Sequence, residues 1–372
     1  MASLKSYKNK TLRPLKFELT PVFPVSACGT VHLLVDAVSI SFYFTLLRQG
    51  AFVEPFAAFF LYNFFAFAAQ APLGYWADRL GRPVAVAACG CLLVATGACL
   101  SNTPLLGLLI LGLGNALFHV GGGIVTLSLA QNRATLPGVF VAPGTLGVAA
   151  GTAFGAANVH PAPLFVVLLV IAAAAMAILG LSIRPVGQTN SSRQTPLKGS
   201  DVFSVAVLLL CVTISLRQIV GGFGMETAKD WLFAATAAVF FGKALGGILA
   251  DRFGWHGFTI TMVLFSAPLL FCSHTFPLIG VIGLLFFSMS MPVTLTALSV
   301  LFPGRPGLAF GLASLALCFG AFTALFVSDD RLTVFLLVCF TAYLFHVGML
   351  RYNERYRMIT PLSETQDEKS TP

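Results

Sequence analysis

Long apolar runs, broken by short polar or Pro- and Gly-containing stretches, fill most of this chain. An α-helix needs about 20 largely apolar residues to cross hydrocarbon. Cutting the runs at Pro, Gly and charge clusters predicts twelve such helices, at 22–47, 52–75, 83–101, 104–127, 136–158, 162–183, 201–223, 231–250, 257–274, 276–299, 305–328 and 332–351. The connections are short. The longest internal polar stretch, Arg184–Ser200, is rich in Ser, Thr, Gln and Gly and falls between the sixth and seventh helices. It reads as a linker. The expected organisation is an amino-terminal tail (1–21), a six-helix half (22–183), the linker (184–200), a second six-helix half (201–351) and a polar carboxy-terminal tail (352–372).

The two halves carry related strings. Gly74–Pro83 reads GYWADRLGRP, and 173 residues later Gly247–His256 reads GILADRFGWH, with five identities in ten positions. Pro137-Gly138 at the start of the fifth run is matched by Pro306-Gly307 at the start of the eleventh, 169 residues on. Two concordant offsets near half the chain indicate a duplicated unit. The fold class predicted is an all-α integral membrane protein with twelve transmembrane helices in two parallel six-helix repeats.

Composition agrees. Of 372 residues 57% are hydrophobic and 10% are charged, against about 25% charged in soluble domains. The net charge of +8 would suit nucleic acid in a soluble protein, but here it is a topology signal. With the amino terminus in the cytoplasm, 17 of the 22 Lys and Arg fall in inside segments, from Lys5 and Arg13 through Arg79, Arg82, Arg252 and Arg305 to Arg357. Only Arg48, Lys229 and Arg331 fall outside, and Arg217 and Lys243 lie within helices. Both termini are therefore expected to be cytoplasmic, in a plasma (inner) membrane. The eight cysteines mostly lie in apolar runs without metal-type spacing and read as small packing residues.

Ionisable groups inside helices are costly and mark function by default. His32 and Asp36 in the first helix are four apart, on one face. Asp36 lies fourteen residues past the expected helix start at 22, near mid-depth at about 1.5 Å per residue. It is a candidate to load a proton or touch substrate, and a buried His–Asp pair fixing helix packing is the alternative. Asn115 and His119 in the fourth helix are also four apart, ahead of Gly121-Gly122-Gly123. Arg217 in the seventh helix cannot shed its charge. It either binds an anionic substrate group or pairs with Asp36 across the halves. Lys243 lies near the cytoplasmic end and is expected to snorkel outward. Asn63 and Gln70 read as lining or packing polars.

The string Gly74-Tyr-Trp-Ala-Asp78-Arg79-Leu-Gly81-Arg82-Pro83 resembles the signature of the major facilitator superfamily between its second and third spans. Asp251-Arg252-Phe-Gly254 resembles the weaker copy between the eighth and ninth. Pro83 and Trp255 depart from it, standing where basic residues are usual. The resemblance implies a conformational gate formed by Gly74, Asp78, Arg79, Gly81, Arg82, Asp251, Arg252 and Gly254, with Asp78 meeting the eleventh span and Asp251 the fifth. Gly138–Gly147 is similar to the Gly-Pro motif of the superfamily's drug antiporters, with Ala142 and Leu146 replacing two glycines. Pro143 is expected to bend that helix. His32 to Asp36 together with Asn115 to His119 resemble the fosmidomycin-resistance-like efflux branch, with Val120 and Gly121 where Pro and an acidic residue are frequent.

These features predict a secondary transporter moving a small organic solute by alternating access, as proton-coupled efflux. The alternatives are a proton-coupled importer of a small organic anion and a non-transporting membrane sensor or scaffold on the same fold. No nucleotide-binding glycine loop is present, so an enzyme or ATP-driven pump is not expected. No cofactor or metal is expected either, the proton gradient being the energy source. The partners expected are a small-molecule substrate and the lipid bilayer, with no nucleic acid and with the chain as a monomer.

Overall fold

The computed structural model describes residues 19–159, 161–182 and 201–359. The proposed linker and the ends of both tails lie outside these residues. Every regular element among the described residues is helical. Twelve spans follow in order: α1 (Leu19–Arg48), α2 (Pro55–Leu80), α3 (Pro83–Ala98), α4 (Pro104–Ala130), α5 (Thr135–Ala156), α6 (Ala162–Ser182), α7 (Asp201–Thr227), α8 (Leu232–Phe253), α9 (Trp255–Cys272), α10 (Pro277–Leu301), α11 (Pro306–Thr323) and α12 (Arg331–Ile359). Eleven are long and apolar enough to cross a membrane, and α3 is apolar but only 16 residues long. It closes at Ala98 rather than at 101, where Cys99 N–H and Leu100 N–H bond to Thr96 and Gly97 carbonyls three residues back and tighten the chain into a turn.

Local sequence explains the helix starts. Proline stands at the first or second position of α2, α3, α4 and α11, and of both segments of α10, where its missing N–H has no partner to lose. Inside spans, irregularity is confined to two places. A π-helical turn occupies Phe64–Ala68 of α2, and α10 is interrupted between Ser288 and Met291. The α2 helix runs to Leu80, five residues past the expected end, and α8 runs to Phe253. Asp78 and Asp251 therefore stand on the last turns of α2 and α8, not in a loop. Gly81, at φ +65°, ends α2 in the left-handed conformation that suits glycine. α12 continues to Ile359, beyond the expected end at 351.

Packing repeats with a six-helix offset. The pairs α1–α5, α3–α4, α3–α6 and α2–α4 have counterparts α7–α11, α9–α10, α9–α12 and α8–α10. The largest contacts between halves are also paired, α2 with α11 and α5 with α8. Large apolar side chains such as Val167, Ile171 and Ile178 of α6 are exposed, as on a face that meets lipid. By contrast 61%, 78% and 67% of the most apolar windows of α1, α4 and α10 are buried, against 28% for α6 and α9. The first three line the interior.

Close approach between halves depends on two repeated glycines. A Cβ on Gly74 would stand 2.0 Å from the Gly307 carbonyl oxygen, and one on Gly247 2.2 Å from that of Ala134. No other residue type fits such backbone contact.

Candidate functional site

The α1–α5 contact sets the position of His32. Pro143 has no N–H to give to the Val139 carbonyl, and Gly29 of α1 packs against that freed oxygen. One turn along, a Cβ on Gly144 would lie 2.3 Å from His32 Nε2, so the imidazole fills space left by glycine. α4 then presents Asn115 and His119 from the other side. His32, Asn115 and His119 are all buried, and the Asp36 side chain is 13% exposed.

Four of the five residues expected at the proton or substrate site are thus brought together. His32 Nε2 lies 3.2 Å from Asp36 Oδ2 and 2.8 Å from His119 Nε2, while His119 Nε2 lies 3.6 Å from Asp36 Oδ1. Asn115 Nδ2 donates to Asp36 Oδ1 at 3.2 Å and to Ser39 Oγ at 3.4 Å, and Asn115 Oδ1 is buried without a hydrogen-bond partner. The outer nitrogens of the two rings define their protons. His32 Nδ1 is 2.9 Å from the Phe140 carbonyl oxygen and His119 Nδ1 is 2.9 Å from that of Asn115. A carbonyl only accepts, so each Nδ1 carries a hydrogen, and in the neutral rings each Nε2 then offers a lone pair towards the other and towards Asp36. Acceptors converging at such separations need a cation among them.

The fifth residue, Arg217, is elsewhere. It is buried, donates to Thr294 Oγ1 of α10 at 3.2 Å, and makes no ion pair with Asp36. The pairing alternative is corrected: among the described residues Arg217 hydrogen-bonds a hydroxyl and not the Asp36 carboxylate. Lys243 is also corrected. It does not snorkel outward, because its Nζ crosses to α5 and donates to Thr145 Oγ1 at 2.7 Å. The close α5–α8 seam at Gly138, where a Cβ would lie 2.7 Å from the Lys243 carbonyl, directs this side chain inward. Gln70 is fully buried and bridges the halves, with Nε2 donating to Ala66 O and Oε1 accepting from Ser314 Oγ at 2.6 Å each. A small cleft lined by Asn63, Phe67, Gln218, Leu317, Cys318 and Ala321 includes none of the expected site residues.

The repeated strings make two equivalent contacts. Asp78 accepts from the Gly307 and Leu308 backbone N–H groups, at 2.7 and 2.9 Å, at the start of α11. Asp251 accepts from Ala134 N, Thr135 N and Thr135 Oγ1, at 2.9, 2.8 and 2.6 Å, at the start of α5, and from Trp255 Nε1 at 2.8 Å. Each carboxylate thus caps the positive end of a helix from the other half. Trp255, which departs from the usual pattern, supplies the extra donor. Of the nearby basic residues, Arg305 crosses the halves to lie over the Tyr75 ring, whereas those of the repeated strings do not cross. Arg79 bonds to the Tyr75 hydroxyl and lies over its ring, Arg252 lies over Phe253, and Arg82 precedes α3 as its exposed cap residue. Gly254 adopts φ +94° between α8 and α9.

Comparison with known proteins places this architecture. Among curated proteins none matches the chain in sequence. Solved structures share its fold at low identity. The Escherichia coli fucose:proton symporter FucP, in a single-site variant, superposes with a TM-score of 0.66 at 15% identity, covering 89% of this chain and 99% of that one. The human organic anion transporter MFSD10 (TETRAN) gives 0.62 at 16%, with 89% and 99% covered. A double-tryptophan mutant of XylE gives 0.59 at 13%, with 92% and 96% covered. The model of the Major Facilitator Superfamily matches residues 33–325. A twelve-span helical fold with duplicated cross-half caps, matched over most of its length by that family, is a transporter and not an enzyme: the chain belongs to the Major Facilitator Superfamily.

Proposed function

We propose that this multi-pass membrane protein is a proton-coupled secondary transporter that exports a small organic compound by alternating access, as a monomer in the plasma (inner) membrane with both termini cytoplasmic. The observation that carries the reading is the pair of caps, Asp78 on α11 and Asp251 on α5. Both join the halves at the end where Arg79, Arg82, Arg252 and Arg305 gather, which the positive-inside rule assigns to the cytoplasm. The halves rock apart there when the caps break, and the solute site opens to the cytoplasm. Proton coupling is assigned to His32, Asp36, Asn115 and His119, because their converging acceptors take up one proton between the two Nε2 atoms. Export is favoured by the resemblance of these same residues to the fosmidomycin-resistance-like branch.

A second reading, import of a small organic anion, is favoured by Arg217 and Lys243. Both are interior cations whose hydrogen bonds go to hydroxyl groups, which leaves donors on each for an anionic group. The fold is shared with a fucose:proton symporter and with an organic anion transporter, so the fold itself favours neither direction.

Proteoliposomes holding an internal pH dye test both. A panel of small anions and hydrophobic drugs is applied, and substrate-triggered proton movement is expected. Opposite movement of solute and proton supports export, and movement in the same direction supports import. Silence across the panel from folded protein would overturn coupling and favour the sensor or scaffold reading.

A further inference from the structure

His32, Asp36 and His119 have the arrangement of a metal site as well as of a proton site. Their ligand atoms all lie within 4.8 Å of one another. The two Nε2 atoms are 2.8 Å apart, and the Asp36 carboxylate approaches them through different oxygens, Oδ2 at 3.2 Å from His32 and Oδ1 at 3.6 Å from His119. Each separation is near the roughly 3.3 Å edge of a tetrahedron built on Zn–N and Zn–O bonds of about 2.0–2.2 Å. We propose that His32 Nε2, His119 Nε2 and the Asp36 carboxylate bind one divalent cation of the Zn²⁺ class, with a fourth position open to water.

Three further features support the assignment. Both rings are held by their outer nitrogens on backbone carbonyls. Ligating histidines are oriented in this way, and no tautomer change is needed before a cation enters. Asn115 Nδ2 bonds to the carboxylate that would ligate, while its buried Oδ1 has no partner and is available to accept a hydrogen from metal-bound water. Two imidazoles and one carboxylate suit Zn²⁺, Co²⁺ or Ni²⁺, whereas Mg²⁺ and Ca²⁺ prefer oxygen ligands throughout. The missing metal-type spacing in the sequence has no bearing here, because the ligands come from two helices, α1 and α4, that are far apart in sequence and meet only in the fold.

The site uses the side chains assigned to coupling, and cation and proton compete for the same lone pairs, but binding requires no transport. Tag-free protein in detergent is titrated with Co²⁺, reading its visible d–d bands and the metal retained after gel filtration. One Co²⁺ per chain is expected, with the intense bands of four-coordination, displaced by Zn²⁺. The stoichiometry should persist in His256→Ala, which removes the exposed His256–His346 pair, another place where surface imidazoles could capture metal. In His119→Ala the affinity should fall by more than ~100-fold, beyond the 10–100-fold usual for a lost supporting hydrogen bond.

Should His119→Ala not elute as a folded species, His119→Gln retains a donor for the Asn115 carbonyl without an imidazole ligand, and the same loss is expected. Absence of saturable Co²⁺ binding by the native protein overturns the proposal. So does affinity unchanged in both His119 variants, or lost in His256→Ala. Dye-filled proteoliposomes assayed without metal separate the two readings: coupled flux without Co²⁺ binding removes the metal site alone, and Co²⁺ binding without coupled flux removes the coupling assignment alone.

Discussion

Gly144 shows how much a single position contributes here. With a side chain there, the His32 ring would have no room beside α5, and the convergence on Asp36 would be lost. The same glycine read from sequence is only a small residue in a helix, and small residues in membrane spans usually indicate packing. Asp36 is the one anion in the buried group, with Asn115 and both histidines directed at it. Asp36→Asn should therefore reduce substrate-driven proton flux to the level of empty liposomes while the protein still elutes as a folded species. Undiminished flux would remove Asp36 from coupling. Arg217 holds one hydrogen bond to a hydroxyl, so its guanidinium is spare for a ligand. Arg217→Lys keeps the charge and loses the planar fork. Charged hydrogen bonds contribute roughly 1.5–3 kcal/mol, so binding of an anionic solute should weaken about tenfold or more, with neutral solutes little affected. Equal loss for both in a competition assay would assign Arg217 to structure.

At the scale of the helix, the ends of the spans carry the testable chemistry. Asp330 precedes α12 and accepts from the Ser328 and Thr333 hydroxyls and from the Leu332 and Thr333 backbone N–H groups. These hydrogen bonds, that from Ser328 first and then those from Thr333, hold its carboxyl well below the usual carboxylate range. A depressed folded-state pKa stabilises the cap above the unfolded value of about 3.9 and ceases to do so as pH falls through the folded value. Amide protection in the first turn of α12, taken relative to the unstructured exchange rate at each pH, should therefore be high at neutral pH, fall only in strong acid, and be low throughout in Asp330→Ala. Identical exchange in the two proteins at pH 7 would rule the cap out. Helix existence was legible in the sequence, because apolar run length and N1 prolines are local. The last turns of α2 and α8 were not. Charged residues end a hydropathy run, yet Asp78 and Asp251 remain helical because their charge is used against another helix.

For the whole molecule, the two caps hold the halves together at one end, and each is bordered by a glycine contact that brings backbones together. Asp78→Asn loses the charge in two such bonds. At about 1.5–3 kcal/mol for a charged hydrogen bond, even one of them is worth roughly a tenfold or greater shift towards states open at this end. Cysteines placed at the opposite end should then react more slowly with an impermeant thiol reagent. An unchanged rate would count against the cap as a gate. The Asp251 cap has the additional Trp255 donor and three contacts on α5, so Asp251→Asn should produce the larger shift.

The sequence by itself determined the membrane class, the twelve spans, the duplication and the resemblance to the superfamily, because each rests on run length, composition or short strings that need no neighbour. It also placed His32 with Asp36 and Asn115 with His119, since positions four apart share a helix face. Only the tertiary structure decided that these two pairs meet, that Lys243 turns inward to Thr145, and that Arg217 pairs with Thr294 rather than Asp36. Those outcomes depend on how each helix is rotated about its axis. In spans apolar on nearly every side, rotation is set by where glycines let backbones touch rather than by a contrast between wet and dry faces.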